Sequence, residues 1–252
     1  MKRLSALAMA ILCGAALWVA VCFANRYTVA VPPANSEPST TTASKPTTTQ
    51  PPLPDNPIDF ADLQARYPEA VGWIRVPGTV IDYPIMQSGP DTPEDFYLTH
   101  NEEGKKIKHG SIYIQRYNTP GFTDPNTILY GHNMANGSMF AAIHKFRKDA
   151  FFEENQYIYV YTPGHVLTYR IYSLFINEER HLMVTYDFDT EEGFGAYLEK
   201  TMDPPSSVQQ TRKEVIPTTA DRVITLCTCT NKRDGDGRLL LVAVLEEDQR
   251  TK

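Results

Sequence analysis

The sequence predicts a mainly β fold, a barrel or a sandwich. Three observations carry that expectation. Eight short runs rich in Val, Ile, Tyr and Thr are spaced along the chain and punctuated by Gly and Pro. Two of them, Asp221 to Cys229 and Arg238 to Val244, flank a polar loop with two Asp-Gly pairs, a strong hairpin indication. At 252 residues the chain accommodates one domain of about 200 residues plus appendages.

Taken in order, Met1 to Arg3 precede Leu4 to Ala24, 21 residues whose only strongly polar member is Ser5. A helix of that length spans about 30 Å at roughly 1.5 Å per residue, the thickness of a hydrocarbon core. The segment therefore reads as a single-pass membrane anchor, with residues 1–3 as a cytoplasmic tip and the rest of the chain outside the cell membrane. A cleaved signal peptide is the competing reading, since Cys22-Phe-Ala24 offers a small-x-small site, but the apolar run is longer than an ordinary signal core. Residues 25–57 are rich in Pro, Thr and Ser, cannot bury apolar surface, and read as an extended extracellular stalk.

The remaining residues, 58–252, form the expected globular domain. Ile58 to Arg66 reads as an amphipathic helix with Asp59 at its N-cap. Strands are expected at 73–76, 80–86, 111–115, 127–130, 157–161, 166–176, 223–229 and 239–245. Helical patterns interrupt them at Ser138 to Phe146 and at Thr190 to Thr201, the latter weakened by Gly193 and Gly195.

A formal net charge of −6 argues against a nucleic-acid partner, because phosphate backbones are not attracted to an acidic surface. Of the four cysteines, Cys13 and Cys22 lie in the apolar N-terminal segment and Cys227 and Cys229 share one strand, so no disulfide framework spans the fold. Half a metal site is another reading of Cys-x-Cys, but there is no second pair and His132 alone cannot complete four ligands. The remaining reading is a thiol in use. The hairpin sets Cys229 at the end of one strand and Arg238 at the start of the next. Asn126 to Tyr130 leads into a Gly-His step that puts His132 where a strand opens into a loop. A thiol attacks as its thiolate, an imidazole moves protons, and a fixed cation holds a developing oxyanion. Taken alone, Arg238 also fits a surface pairing with Asp234 or Asp236. The other histidines, among them His144 on a helix and His165 in a turn, sit in bland contexts.

Thr225-Leu-Cys-Thr-Cys229 resembles the Thr-Leu-x-Thr-Cys signature of sortases, the cysteine transpeptidases of the Gram-positive cell surface. Leu129-Tyr-Gly-His-Asn-Met134 with Gly137-Ser-Met-Phe140 resembles the His segment of class B, and the likeness runs from about Asn56 to Glu247. It implies an eight-stranded barrel with an N-terminal helix, and a groove-walling helix between the sixth and seventh strands. It further implies Cys229 as nucleophile, His132 as its proton-transfer partner, Arg238 as oxyanion or substrate clamp, and a substrate-near position at Cys227; Thr228 beside it and Tyr130, which reads either as core or as groove wall, are the other substrate-binding candidates. Cys227 departs from the pattern, in which Ser is frequent. No metal or organic cofactor is implied. The implied activity is a membrane-anchored transpeptidase that cleaves a sorting signal in surface proteins through a thioacyl enzyme. The acyl group passes to an amine of a peptidoglycan precursor or a pilin. Two alternatives stand beside it. A cell-wall cysteine hydrolase or L,D-transpeptidase would use the same residue types, but papain-like enzymes place Cys before His and L,D-transpeptidases want a Gly-Cys-x-Arg cluster that is absent. A non-catalytic adhesion module would leave the thiol dispensable.

Overall fold

In the computed structural model, which describes residues 52–178, 181–231 and 234–252, nine strands hydrogen-bond into one sheet. They are β1 (Ala70–Arg75), β2 (Asp82–Met86), β3 (Ile112–Ile114), β4 (Asn126–Tyr130), β5 (Tyr157–Thr162), β6 (His165–Asn177), β7 (Gln209–Thr211), β8 (Val223–Cys229) and β9 (Arg238–Arg250). Their order is β5-β1-β2-β3-β4-β8-β9-β6-β7, and β6 pairs back onto β5. Eight strands therefore close a barrel, and β7 hangs on the distal half of β6 through Ser173 to Phe175.

All eight strands expected from the sequence are present. The short β7 was not foreseen: three polar residues, Gln-Gln-Thr, carry no alternation to read. β9 also outruns its expected end, because Glu247 to Arg250 join the ladder by backbone pairing with His165 to Thr168, past a register shift at Glu246, while their side chains stay exposed.

Alternation along β8 and β9 explains their continuous apolar runs. Ile224, Leu226, Leu239 and Leu241 belong to the cluster that also holds Ile74, Ile112 and Phe140. Val223, Cys227, Leu240 and Val242 turn to the opposite face, against Tyr172, Phe194 and Tyr197. A strand covered on both sides is apolar throughout, and full burial of each such side chain contributes about 1.5–3 kcal/mol.

The expected N-terminal helix is α1 (Phe60–Arg66), capped by Asp59, whose carboxylate accepts from Asp62 N at 3.0 Å. Two further short helices, α2 (Asp149–Glu154) and α3 (Leu182–Thr185), carry no readable period. The helix expected between the sixth and seventh strands is α4 (Glu191–Met202), between β6 and β7, and none of its residues lines the cavity beside Cys229. Its glycine at 193 has a packing reason, for a Cβ there would lie 2.2 Å from the Asp187 carbonyl oxygen. Tyr197 reaches from α4 to the sheet, its hydroxyl 2.6 Å from Thr225 Oγ1, which in turn donates to Asn126 Oδ1 at 2.9 Å. The segment after His132 is a 3₁₀ helix, Phe140–Arg147, rather than an α-helix. Phe140, Ile143 and Phe146 are fully buried at intervals of three, the period of that tighter helix.

Asn56 ties the entry of the domain to its exit. Its Nδ2 donates to the Thr162 carbonyl at 3.0 Å and to Thr251 Oγ1 at 3.2 Å, beyond the end of β9 remote from Arg238.

The expected localisation as a single-pass membrane protein is corrected. Among the described residues no helix is long and apolar enough to cross a membrane. The longest, α4, has 12 residues, about 18 Å at 1.5 Å per residue against about 30 Å of hydrocarbon. Residues 1–3, the segment 4–24 and most of the 25–57 stretch lie outside the described residues.

Candidate active site

β8 runs between β4, its parallel neighbour, and β9, its antiparallel one. Every residue from Val223 to Thr228 is buried, and Cys229 is the first to emerge. Its register partner is Arg238. Thr230 N donates to the Gly237 carbonyl at 3.2 Å, so the preceding pair is a non-hydrogen-bonded one, the closer kind, with Cα atoms about 4.5 Å apart and side chains on one face. That face is the outer one, which α4 covers further along, and not the barrel interior.

The turn between the two strands is built to hold this pairing. Asp234 N donates to the Asn231 carbonyl at 2.8 Å, Gly235 takes φ 81°, and Thr230 Oγ1 donates to the Gly237 carbonyl at 3.1 Å. Arg147 grips Asp234 with two nitrogens, at 2.6 and 3.2 Å. Asp234, one of the two carboxylates that a surface reading would give to Arg238, is thus held by another guanidinium, which keeps its carboxyl below the ordinary range.

His132 is brought alongside by β4. Tyr130 is in register with Cys227, Gly131 N donates to the Cys227 carbonyl at 3.2 Å, and Thr228 Oγ1 donates to the Gly131 carbonyl at 2.7 Å. Gly131 admits no side chain: a Cβ would lie 2.5 Å from Ile112 Cδ1 and 2.8 Å from the Phe140 ring. The imidazole is oriented by Leu98, whose carbonyl oxygen lies 2.8 Å from Nε2. A carbonyl only accepts, so Nε2 carries the proton in that bond and Nδ1 is the basic nitrogen.

A cavity of about 270 Å³ is lined by all six residues singled out from the sequence: Tyr130, His132, Cys227, Thr228, Cys229 and Arg238. Its apolar wall is Tyr113 stacked on Tyr130, ring centroids 5.4 Å apart, with Leu182 and Leu240. Burial pushes the Cys227 thiol up to about 12, against the opposing pull of the Arg238 charge. Cys227 is therefore a protonated wall residue at neutral pH. Thr228 borders the cavity with its hydroxyl already engaged by Gly131. Among the described residues, no three His, Cys, Asp or Glu side chains converge as metal ligands do.

Two histidines that sequence reasoning left aside are also at the site. His181 lines the cavity with Gln115, whose Oε1 lies 2.6 Å from its Nε2. Its Nδ1 is buried without a partner, and burial lowers its pKa. Its place in the connection between β6 and α4, expected to wall a groove, was the available sign. His144 of the 3₁₀ helix reaches the backbone carbonyl of Cys229 at 3.1 Å. No sequence pattern marks that contact, because 85 residues separate the partners.

A family model described as the Sortase domain matches residues 74–246. Sortase B of Listeria monocytogenes is 34% identical over 186 residues, covering 73% of this chain and 72% of that protein. The solved structure of Clostridium perfringens sortase B superposes with a TM-score of 0.66 at 32% identity, over 75% of this chain and 100% of that one. A Staphylococcus aureus sortase B–substrate complex superposes with a TM-score of 0.64 at 26% identity, over 75% of this chain and 84% of that one.

Proposed function

The chain belongs to the sortase family, within its class B, and is a cysteine transpeptidase of surface-protein sorting; on that premise we propose which residues of the 58–252 domain carry the reaction. Cys229 passes its thiol proton to His132 Nδ1, and the Sγ thiolate attacks a backbone carbonyl of the sorting signal. The oxyanion that forms is held by the Arg238 guanidinium, and as the C–N bond breaks His132 gives a proton to the leaving amine. The product is a thioester on Cys229. An amine of a peptidoglycan precursor or a pilin then attacks that thioester, His132 takes up its proton, and the thiolate leaves. Tyr130 and Cys227 form the wall against which the signal's side chains lie, and Thr228 bounds it.

The observation that carries this reading is the shared cavity: Cys229 and Arg238 are register partners, and His132 opens onto the same space. An acyl group stored as a thioester keeps its reactivity until the amine arrives, which is what joining two chains requires. The test is to incubate the protein with a library of candidate signal peptides and to map acyl adducts by mass spectrometry. Adducts are expected on Cys229 alone and absent in Cys229→Ala. Undiminished peptide transfer by that variant would overturn the assignment and favour the adhesion-module reading.

A further inference from the structure

Around the backbone carbonyl of Cys229 the structure closes a ring of hydrogen bonds. Asn133 Nδ2 donates to that carbonyl at 3.1 Å and to Asn231 Oδ1 at 3.2 Å. Asn231 Nδ2 lies 3.2 Å from His144 Nδ1, and His144 Nε2 lies 3.1 Å from the Cys229 carbonyl. The carbonyl only accepts, so Nε2 carries the hydrogen and Nδ1 is left to accept from the Asn231 amide. The amide orientation follows as well, since a flipped Asn231 would set its NH₂ against that of Asn133. Both lone-pair directions of the Cys229 carbonyl are then occupied, one by each arm of the ring.

We propose that His144 is a positioning residue for the nucleophile: through Asn231 and Asn133 it fixes the Cys229 backbone against the loop that carries His132. Asn133 directly follows His132, so the ring joins the thiol's strand end to the imidazole's own loop. Cys229 ends β8, and among the described residues the pairing with β4 stops at Cys227, so sheet pairing on that side does not hold the Cys229 carbonyl. The ring does so in its place.

Only a neutral His144 satisfies this geometry, since a proton on Nδ1 would face the Asn231 NH₂. The surroundings favour that form. Burial lowers the His144 pKa, the Cys229 carbonyl raises it, Arg147 of the same helix lowers it and Asp234 of the turn raises it, burial being the largest influence. Lys145, the next charge along, is directed to the Gly78 carbonyl instead.

This inference rests on Cys229 being the nucleophile, and the experiment separates the two. Alkylation of Cys229 in the full chain by iodoacetamide is followed from pH 5 to 9, together with peptide acylation. In His144→Ala we expect alkylation at pH 7 to slow about five- to tenfold and its pH profile to move, with acylation slowed in parallel. His144→Gln, which keeps a donor and never charges, is expected to recover to within about threefold of the parent. Asn231→Ala, at a half-buried position outside the barrel strands, should reproduce the His144→Ala profile. Simple unfolding would instead speed alkylation and expose Cys227 to it; if His144→Ala does this, Asn231→Ala decides. Unchanged rates and pH profile in the folded variant overturn the positioning role while leaving the nucleophile assignment intact. Absence of acyl adducts on Cys229 in the parent protein overturns both.

Discussion

Cys229 and Arg238 face each other as the last residue of β8 and the first of β9, a closely spaced pair on the outer face of the barrel. The backbone that carries this guanidinium is held by the ladder. Removing one preorganised oxyanion donor typically costs about 10²–10³ in kcat. Arg238→Ala is expected to lose that much in the rate of Cys229 acylation, and Arg238→Lys to recover part of it without the planar fork. Single-turnover acylation measured by quench and mass spectrometry decides; an Arg238→Ala rate within threefold of the parent would remove Arg238 from the chemistry.

His132 is held by its Nε2–H to Leu98, with Nδ1 left basic. Glutamine at 132 can imitate the bond but cannot carry a proton between sulfur and amine. His132→Gln should therefore fold with an unchanged melting curve and acylate about 10²–10⁴-fold more slowly. Retained transfer activity in that variant would point to another proton carrier.

Cys227 and Cys229 share one face of a strand but not one reactivity. Burial holds the Cys227 thiol up at about 12, so at pH 7.5 it stays protonated and covered. Brief treatment with iodoacetamide followed by peptide mapping should find Cys229 modified and Cys227 untouched. Comparable labelling of the two would contradict the packing described for this wall.

Gly131 leads into the His132 step between Ile112 and the Phe140 ring. Gly131→Ala adds a methyl where the core has no room, at a cost of about 1–3 kcal/mol. Thermal unfolding should show a melting temperature lower by roughly 5 °C for a domain of this size. An unchanged midpoint would mean that the Phe140 helix yields more easily than its full burial suggests.

Stability should depend on pH in the range where imidazoles titrate. His144 and His181 are both pushed below the ordinary value of 6.5, chiefly by burial. The unfolded chain therefore binds more protons than the folded one just below pH 6.5, and stability rises with pH there. The contribution is complete above about pH 6.5 and is lost as the pH falls through the folded values. Urea midpoints should be lower at pH 5.5 than at 7.5, and the gap should shrink in His144→Gln/His181→Gln. The depressed carboxyls of Asp234 and Asp248 act only at lower pH, outside that window.

Much of the architecture was legible because burial on both faces writes itself into composition: β8 and β9 could not be so continuously apolar otherwise. That Cys229, His132 and Arg238 would share one cavity was legible through motif and spacing. His144 was not, because its role depends on a 3₁₀ helix folding back over a strand end far along the chain. Its neighbours in sequence report only an apolar face. The helix at 138–146 was legible but its 3₁₀ form was not, since apolar residues at 140, 143 and 146 satisfy both periods over so short a run. The membrane expectation failed for a different reason: it rested entirely on residues 4–24, while the helices of the described domain are short and half-polar.

The bond from Asn56 to Thr251 brings the two ends of the domain side by side, while β9 carries Arg238 as much as 40 Å away at about 3.3 Å per residue. Within the domain, both ends of the described chain therefore lie at the butt of the barrel and Cys229 with Arg238 at its tip. Fluorophores, beads or affinity handles grafted beside Asn56 or Thr251 should consequently leave the thiol free to meet large partners.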